Sequence, residues 1–210
     1  MTVSDSALFT RLARLFEDGH REPVDGLLSD ERFAIAERTA DAAVLIAVTD
    51  RTGSEGEPGM ILTQRPTTMR DHPGQVAFPG GKLEPGESAV EAALREAEEE
   101  LSIRPRDVRV IGTTDRYQTG TGFDVTPVLA VIPHDLALAP DPREVEAWFE
   151  APLRLMLDRT HWQEHEVFWR GAARRYLELD YSGFRIWGVT AAIIANLSRR
   201  MSVEAVFDER

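Results

Sequence analysis

The segment 'PTTMRDHPGQVAFPGGK' (66–82) holds three prolines and three glycines, which excludes a long helix or strand anywhere along it. Close behind it, 'AVEAALREAEEEL' contains neither residue. Ser88 offers an N-cap, Glu91 completes a capping box, and the spacing predicts a helix from Ser88 to about Ser102, ahead of Pro105. Any fold must therefore contain a structured loop, with room for one short strand at 'QVAF', that turns into a well-capped helix. The charge on that helix needs explaining as well. Seven glutamates lie between Gly80 and Leu101, while the apolar positions are nearly all alanine.

The flanking sequence reads as strands. 'ADAAVLIAVTD' (40–50) is a buried strand, and the polar, Gly-rich 'RTGSEGEPG' turns it into 'MILTQR', forming a hairpin. 'VRVIGTTDRYQT' and 'FDVTPVLAVI' form a second hairpin through Gly120 and Gly122. 'PREVEAWFEAPLRLMLD' and 'RIWGVTAAIIANLSRRM' read as helical at least in part, with 'EVFWR' and 'RYLELDY' as short strands between them. With 210 residues, 42% hydrophobic and without a repeat or linker, the chain suits one mixed α/β domain over 1–210. An N-terminal helix over 1–20 and a C-terminal helix over about 186–200 would be additions to it.

Composition narrows the partners. A net charge of -12 repels a phosphate backbone and an anionic membrane, so neither nucleic acid nor membrane is expected. The absence of cysteine excludes disulfides and thiolate metal sites. The N-terminus lacks the unbroken apolar core of a signal peptide, and 'VTAAIIANL' is too short to span a bilayer, so a cytoplasmic protein is expected. Hydrophobic termini would suit a homodimer.

On a helix Glu96, Glu99 and Glu100 share a face. The plain reading is a solvated acidic stripe. Against it, like charges at these spacings repel, and only Arg95 lies within the cluster to compensate. Hard oxygen ligands on one face suit Mg2+ or Mn2+, which would turn the repulsion into attraction and is commonly shared with substrate phosphates.

Gly81, five residues, Glu87, seven residues and then 'REAEEELSI' resemble the Nudix box, G-x5-E-x7-R-E-U-x-E-E-x-G-U with U aliphatic. Gly81, Glu87, Arg95, Glu96, Glu99 and Glu100 match its fixed letters, and Ile103 supplies the last aliphatic position. Ala97 is small for the first aliphatic position and Ser102 replaces a glycine, a departure that touches helix termination more than chemistry. The resemblance implies an α/β/α sandwich with a mixed sheet, hydrolysing a nucleoside diphosphate linked to another group. By position it implies Glu96, Glu99 and Glu100 as metal ligands, with the Gly80 carbonyl as an extra one, and an Arg95–Glu87 pair bracing the loop. Glu96, Glu99, Arg95 and Glu87 are thus the residues expected to serve catalysis. The general base would come from the box, Glu96 or Glu99, ahead of Glu144 or Glu146 in 'PREVEAW'.

Upstream, 'LTQRPTTMRDHPGQVAFPGGK' resembles the added signature of the coenzyme A diphosphatase branch, LTxRxxxxRxHxGQxxFPGG. 'GTGFDVTPV' and 'IWGVTA' (186–191) also look like that branch. The resemblance implies hydrolysis of coenzyme A or its acyl derivatives to 3',5'-ADP and the 4'-phosphopantetheine moiety. Arg65, Arg70, His72, Gly80, Gly81 and Lys82 are the expected substrate-binding residues. An acidic protein needs local cations for phosphates, and Arg65, Arg70 and Lys82, the chain's only lysine, lie in the loop feeding the helix. For His72 the simpler role is bracing the loop, and packing accounts best for His161 and His165. Rival readings are a Nudix hydrolase of ADP-ribose, NADH or nucleoside triphosphates, and a silent nucleotide-binding regulator on the same fold.

Overall fold

Leu45, Ile46, Ala47 and Val48 are all fully buried, which a strand allows only when both of its faces are covered. That strand, β1 (Ala40–Asp50), is at the centre of the computed structural model, which describes residues 6–30, 40–51, 56–169 and 172–207. Helix α1 (Ala7–His20) precedes it; the first five residues of the predicted 1–20 helix fall outside the described residues. Strands β2 (Gly59–Gln64), β3 (Val76–Ala77) and β4 (Gly80–Lys82) follow β1, then helix α2 (Ala89–Leu101). Next come β5 (Arg109–Thr113), β6 (Tyr117–Gln118), β7 (Phe123–Pro133), β8 (Ala147–Pro152) and α3 (Leu153–Leu157). The chain continues through β9 (Gln163–Trp169), β10 (Ala172–Tyr181), β11 (Phe184–Trp187), α4 (Gly188–Arg200) and α5 (Val203–Phe207).

β1 and β7 run parallel, in register from Ala40 opposite Phe123 to Asp50 opposite Pro133. Every other pairing in this mixed sheet is antiparallel, with β2 and β4 sharing the other edge of β1, and β3 and β8 flanking β2. Alternation along β1 splits the core. Ala43, Leu45 and Ala47 face the alanines of α2, whereas Ala42, Ile46 and Val48 pack with Leu12 of α1 and Ile193, Ile194 and Leu197 of α4. The result is the expected α/β/α arrangement around a mixed sheet.

One element departs from its sequence reading. In 'PREVEAWFEAPLRLMLD', residues Ala147–Pro152 form a strand on the open edge of β2, in register from Gln64 opposite Ala147 to Gly59 opposite Pro152, so only Leu153–Leu157 are helical. The alternation of buried Phe149 and Ala151 has the strand period, and helical propensity yields to the free edge. The C-terminal helix, expected over about 186–200, spans Gly188–Arg200, and Ile186 and Trp187 just before it pair with β10. Gly188, at φ 63°, makes the turn from strand to helix. β9, β10 and β11 form a separate antiparallel sheet packed on α4. Among the described residues no helix is long and apolar enough to cross a membrane.

Candidate active site

The predicted capping box is present. The Ser88 hydroxyl accepts from the Glu91 amide at 3.3 Å, and the Glu91 carboxylate accepts from the Ser88 amide at 2.8 Å. α2 then packs close to the sheet, because its buried face is Ala92, Ala93 and Ala97, and this brings its second half beside β4. Only glycine fits at the join. A Cβ on Gly80 would collide with the Ala43 carbonyl oxygen, and one on Gly81 with the Glu96 carboxylate. At the far end Ser102 takes the left-handed conformation, φ 60°, at the position where the box has glycine.

Arg95 ties loop to helix. Its Nε and Nη2 donate to the two oxygens of Glu87 at 2.9 and 3.1 Å, and Nη2 also reaches the Lys82 carbonyl at 3.1 Å. Nη1 donates to Glu96 at 2.9 Å and to Glu99 at 3.2 Å. The Glu87 carboxyl is held below its ordinary range by these bonds and by the Glu84 amide.

Glu96, Glu100 and Glu144 each place one carboxylate oxygen within 4.8 Å of the others. Glu99 lies outside this trio, its side chain 54% exposed and paired with Arg95. Glu144 comes from the loop before β8. The amides of Ala139 and Asp141 in that loop donate to the Leu101 and Glu100 carbonyls at 3.0 and 2.9 Å, capping the orphan carbonyls at the end of α2. Glu146 serves elsewhere, accepting from the Thr67 amide at 2.8 Å and so holding the upstream loop. Sequence reading offered Glu144 only as a reserve base; its place in the trio depends on this tertiary dock, which no local pattern encodes.

Burial, compounded by Glu96 and Glu144, pushes the Glu100 carboxyl up to about 8. Burial also raises Glu96. Both stand in the last two turns of α2, where the helix dipole opposes negative charge and the final turn has no basic residue. Glu100 Oε2 is buried without a hydrogen-bond partner. An orphaned carboxyl oxygen inside a trio of acidic side chains is the donor set a hard divalent cation fits, so Glu96, Glu100 and Glu144 are able to hold one.

The upstream cations are unequally placed. Arg65 is half-buried, attracts the Glu100 carboxylate, and has a buried Nε with no hydrogen-bond partner. Arg70 and Lys82 are exposed, Lys82 with its ammonium 5.3 Å from the centre of the Phe123 ring. His72 is exposed and left-handed, φ 54°, and its carbonyl accepts from the Gln75 amide at 3.2 Å, so the backbone closes the turn.

Comparison with known proteins fits this geometry. A family profile for the NUDIX domain matches residues 39–175. The uncharacterized Nudix hydrolase NudL of Escherichia coli (strain K12) is 42% identical over 164 residues, covering 78% of this chain and 83% of NudL; NudL of Shigella boydii serotype 4 matches equally. Among solved structures, the Nudix hydrolase RenU of M. smegmatis shares the fold, with a TM-score of 0.54 at 22% identity over 83% of this chain and 92% of RenU. The chain belongs to the Nudix family and is a Nudix hydrolase.

Proposed function

We propose that the chain hydrolyses the diphosphate of coenzyme A or its acyl derivatives, giving 3',5'-ADP and 4'-phosphopantetheine or its acylated form. The observation that carries this reading is where the three branch-like patches lie. Thr190 of 'IWGVTA' donates to the Val76 carbonyl of the upstream signature at 2.9 Å, and Phe123 of 'GTGFDVTPV' sits under Lys82 at the end of that signature. Segments that resemble the branch far apart in sequence thus touch the upstream signature, whose Arg65 attracts Glu100 of the trio.

In this reading Glu96, Glu100 and Glu144 hold Mg2+ or Mn2+, with Glu99 at the exposed edge of the set. A divalent ion there would supply charge neutralisation on the phosphate oxygens and lower the pKa of the attacking water. The side chains do the rest. The unpartnered Arg65 Nε offers a charge-assisted bond to a phosphate oxygen, and Arg70 and Lys82 draw the anion toward an otherwise acidic protein. Arg95 and Glu87 keep the loop on the helix so that Gly80 and Gly81 present backbone at the diphosphate. Of the two box residues nominated as base, Glu96 lies within the trio and Glu99 at its exposed edge beside Arg95. The catalytic unit is a single domain acting in the cytoplasm, and a homodimer is compatible with it.

The test is a panel of coenzyme A, ADP-ribose, NADH and dGTP with Mg2+. The expected result is the highest kcat/KM on coenzyme A; a higher value on any other member replaces the substrate assignment, and cleavage of none favours a binding role.

A further inference from the structure

A cavity of about 280 Å3 lies where β6, β10 and the start of α4 meet, and its lining includes Tyr117, Arg159, Arg174, Arg175, Tyr176 and Gly188. Pockets for drug-sized ligands begin near roughly 300 Å3. This one therefore suits a single ring-bearing end of a long substrate, not the whole of it. Gln75 lies near both the cavity and the hydrolytic centre. A Cβ on Gly188 would lie 3.8 Å from Gln75 Nε2, and the Gln75 carbonyl accepts the amide of Arg65, the cation beside Glu100, at 3.0 Å.

The charges of the lining divide into committed and available ones. Asp30 is buried, ion-paired with Arg174 and bonded to the Tyr117 hydroxyl, so these three form a wall. Arg175 is 68% exposed, and its contacts to Glu164 and Glu166 at 3.3 and 3.4 Å are surface pairs that contribute little and exchange readily. Arg159 is exposed and has no carboxylate partner among the described residues. The first amides of α4 also lack a side-chain cap. Glu164 also lines the cavity and pairs with Arg175, so Arg159, Arg174 and Arg175 against Asp30 and Glu164 leave the lining with one net positive charge, which on a chain of net charge -12 favours an anion. The neutral, chain-like pantetheine arm would have no use for that charge.

We propose that this cavity takes the 3'-phosphorylated nucleoside end of the substrate, with Arg159 and Arg175 on the 3'-phosphate and the Tyr176 ring against the base, so that it sets a preference for the 3'-phosphorylated form. The inference rests on the coenzyme A reading. It is tested by kcat and KM on coenzyme A and on its 3'-dephosphorylated form, with Mg2+. The wild type is expected to show a KM roughly ten-fold lower for coenzyme A, as charge-assisted phosphate bonds provide. The double variant Arg159→Ala/Arg175→Ala should raise the coenzyme A KM about ten-fold with kcat changed less than two-fold, and bring the ratio of the two KM values close to one. Lysine at both positions should restore part of the ratio. Arg104→Ala/Arg106→Ala, which removes an equal charge elsewhere on the surface, should keep it. Cleavage of both substrates with the ratio unchanged in the double variant, or with both KM values raised equally, overturns the cavity assignment alone. Cleavage of neither substrate by the wild type overturns the coenzyme A reading, and the cavity assignment with it.

Discussion

Glu100 carries the largest electrostatic cost in the site, and its behaviour is open to measurement. Its folded pKa of about 8 stands above the ordinary carboxylate value of 4.5, so the metal-free folded state binds the extra proton. Stability from this group is fully present below about pH 4.5 and is lost as pH rises through 8, by about 1 kcal/mol per pH unit where the slope is steepest. Thermal melts in EDTA should show that fall, and it should flatten in Glu100→Gln, whose neutral amide needs no proton. Saturating Mg2+ should also flatten it in the wild type, with release of close to one proton per ion bound at pH 7. A metal-free melt that is level between pH 5 and 8 would contradict the buried, unpartnered carboxylate. Glu99→Gln and Glu100→Gln should both fold and both lose Mg2+-dependent turnover, Glu100→Gln by about 100-fold and the edge residue Glu99→Gln by less; unchanged rates in both would remove the metal assignment. Glu144→Gln should weaken Mg2+ by about ten-fold without unfolding the chain, read by titration of activity against Mg2+.

The loop and α2 were largely legible before the structure, because each boundary is set by local chemistry. Ser88 and Glu91 define the start, the Pro/Gly loop excludes alternatives, and the alanine face dictates close approach. Replacing Ser88 by Ala should cost about 1 kcal/mol and lower Tm by a few degrees. Ser102→Gly should do the opposite, stabilising by roughly 0.5–1 kcal/mol, since a left-handed position no longer carries a side chain. Gly81→Ala separates folding from chemistry. Its Cβ meets the mobile end of Glu96 and not backbone, so the protein should fold, measured by circular dichroism, while turnover drops as Glu96 is displaced. Ala147–Pro152 shows what local reading lacks. Its alternation fits a strand, but the helix-forming residues around it dominate until the free edge of β2 is known. The same holds for Glu144, brought to the trio by amides that cap α2 from 139 to 141.

At the scale of the molecule, the acidic chain concentrates its exceptions. Arg65 faces Glu100 from the upstream loop, which also carries the exposed Arg70 and Lys82, and Arg159 and Arg175 line a cavity near Gln75. The α/β/α layering was foreseeable from the seven-residue apolar run Ala42–Val48 of β1, which needs cover on both faces, and from the resemblance of the box. The sheet of β9, β10 and β11 was only partly foreseeable, since its strands are short and mixed in polarity, and it is this sheet that builds the cavity. Under the proposed function, coenzyme A is split at its diphosphate only when the carboxylate trio holds a divalent cation. The most direct measurement is product analysis of coenzyme A incubated with the protein across a Mg2+ titration. The prediction is equal amounts of 3',5'-ADP and 4'-phosphopantetheine, rising with Mg2+ and abolished by EDTA. Intact coenzyme A at every Mg2+ concentration, or cleavage indifferent to EDTA, would contradict it.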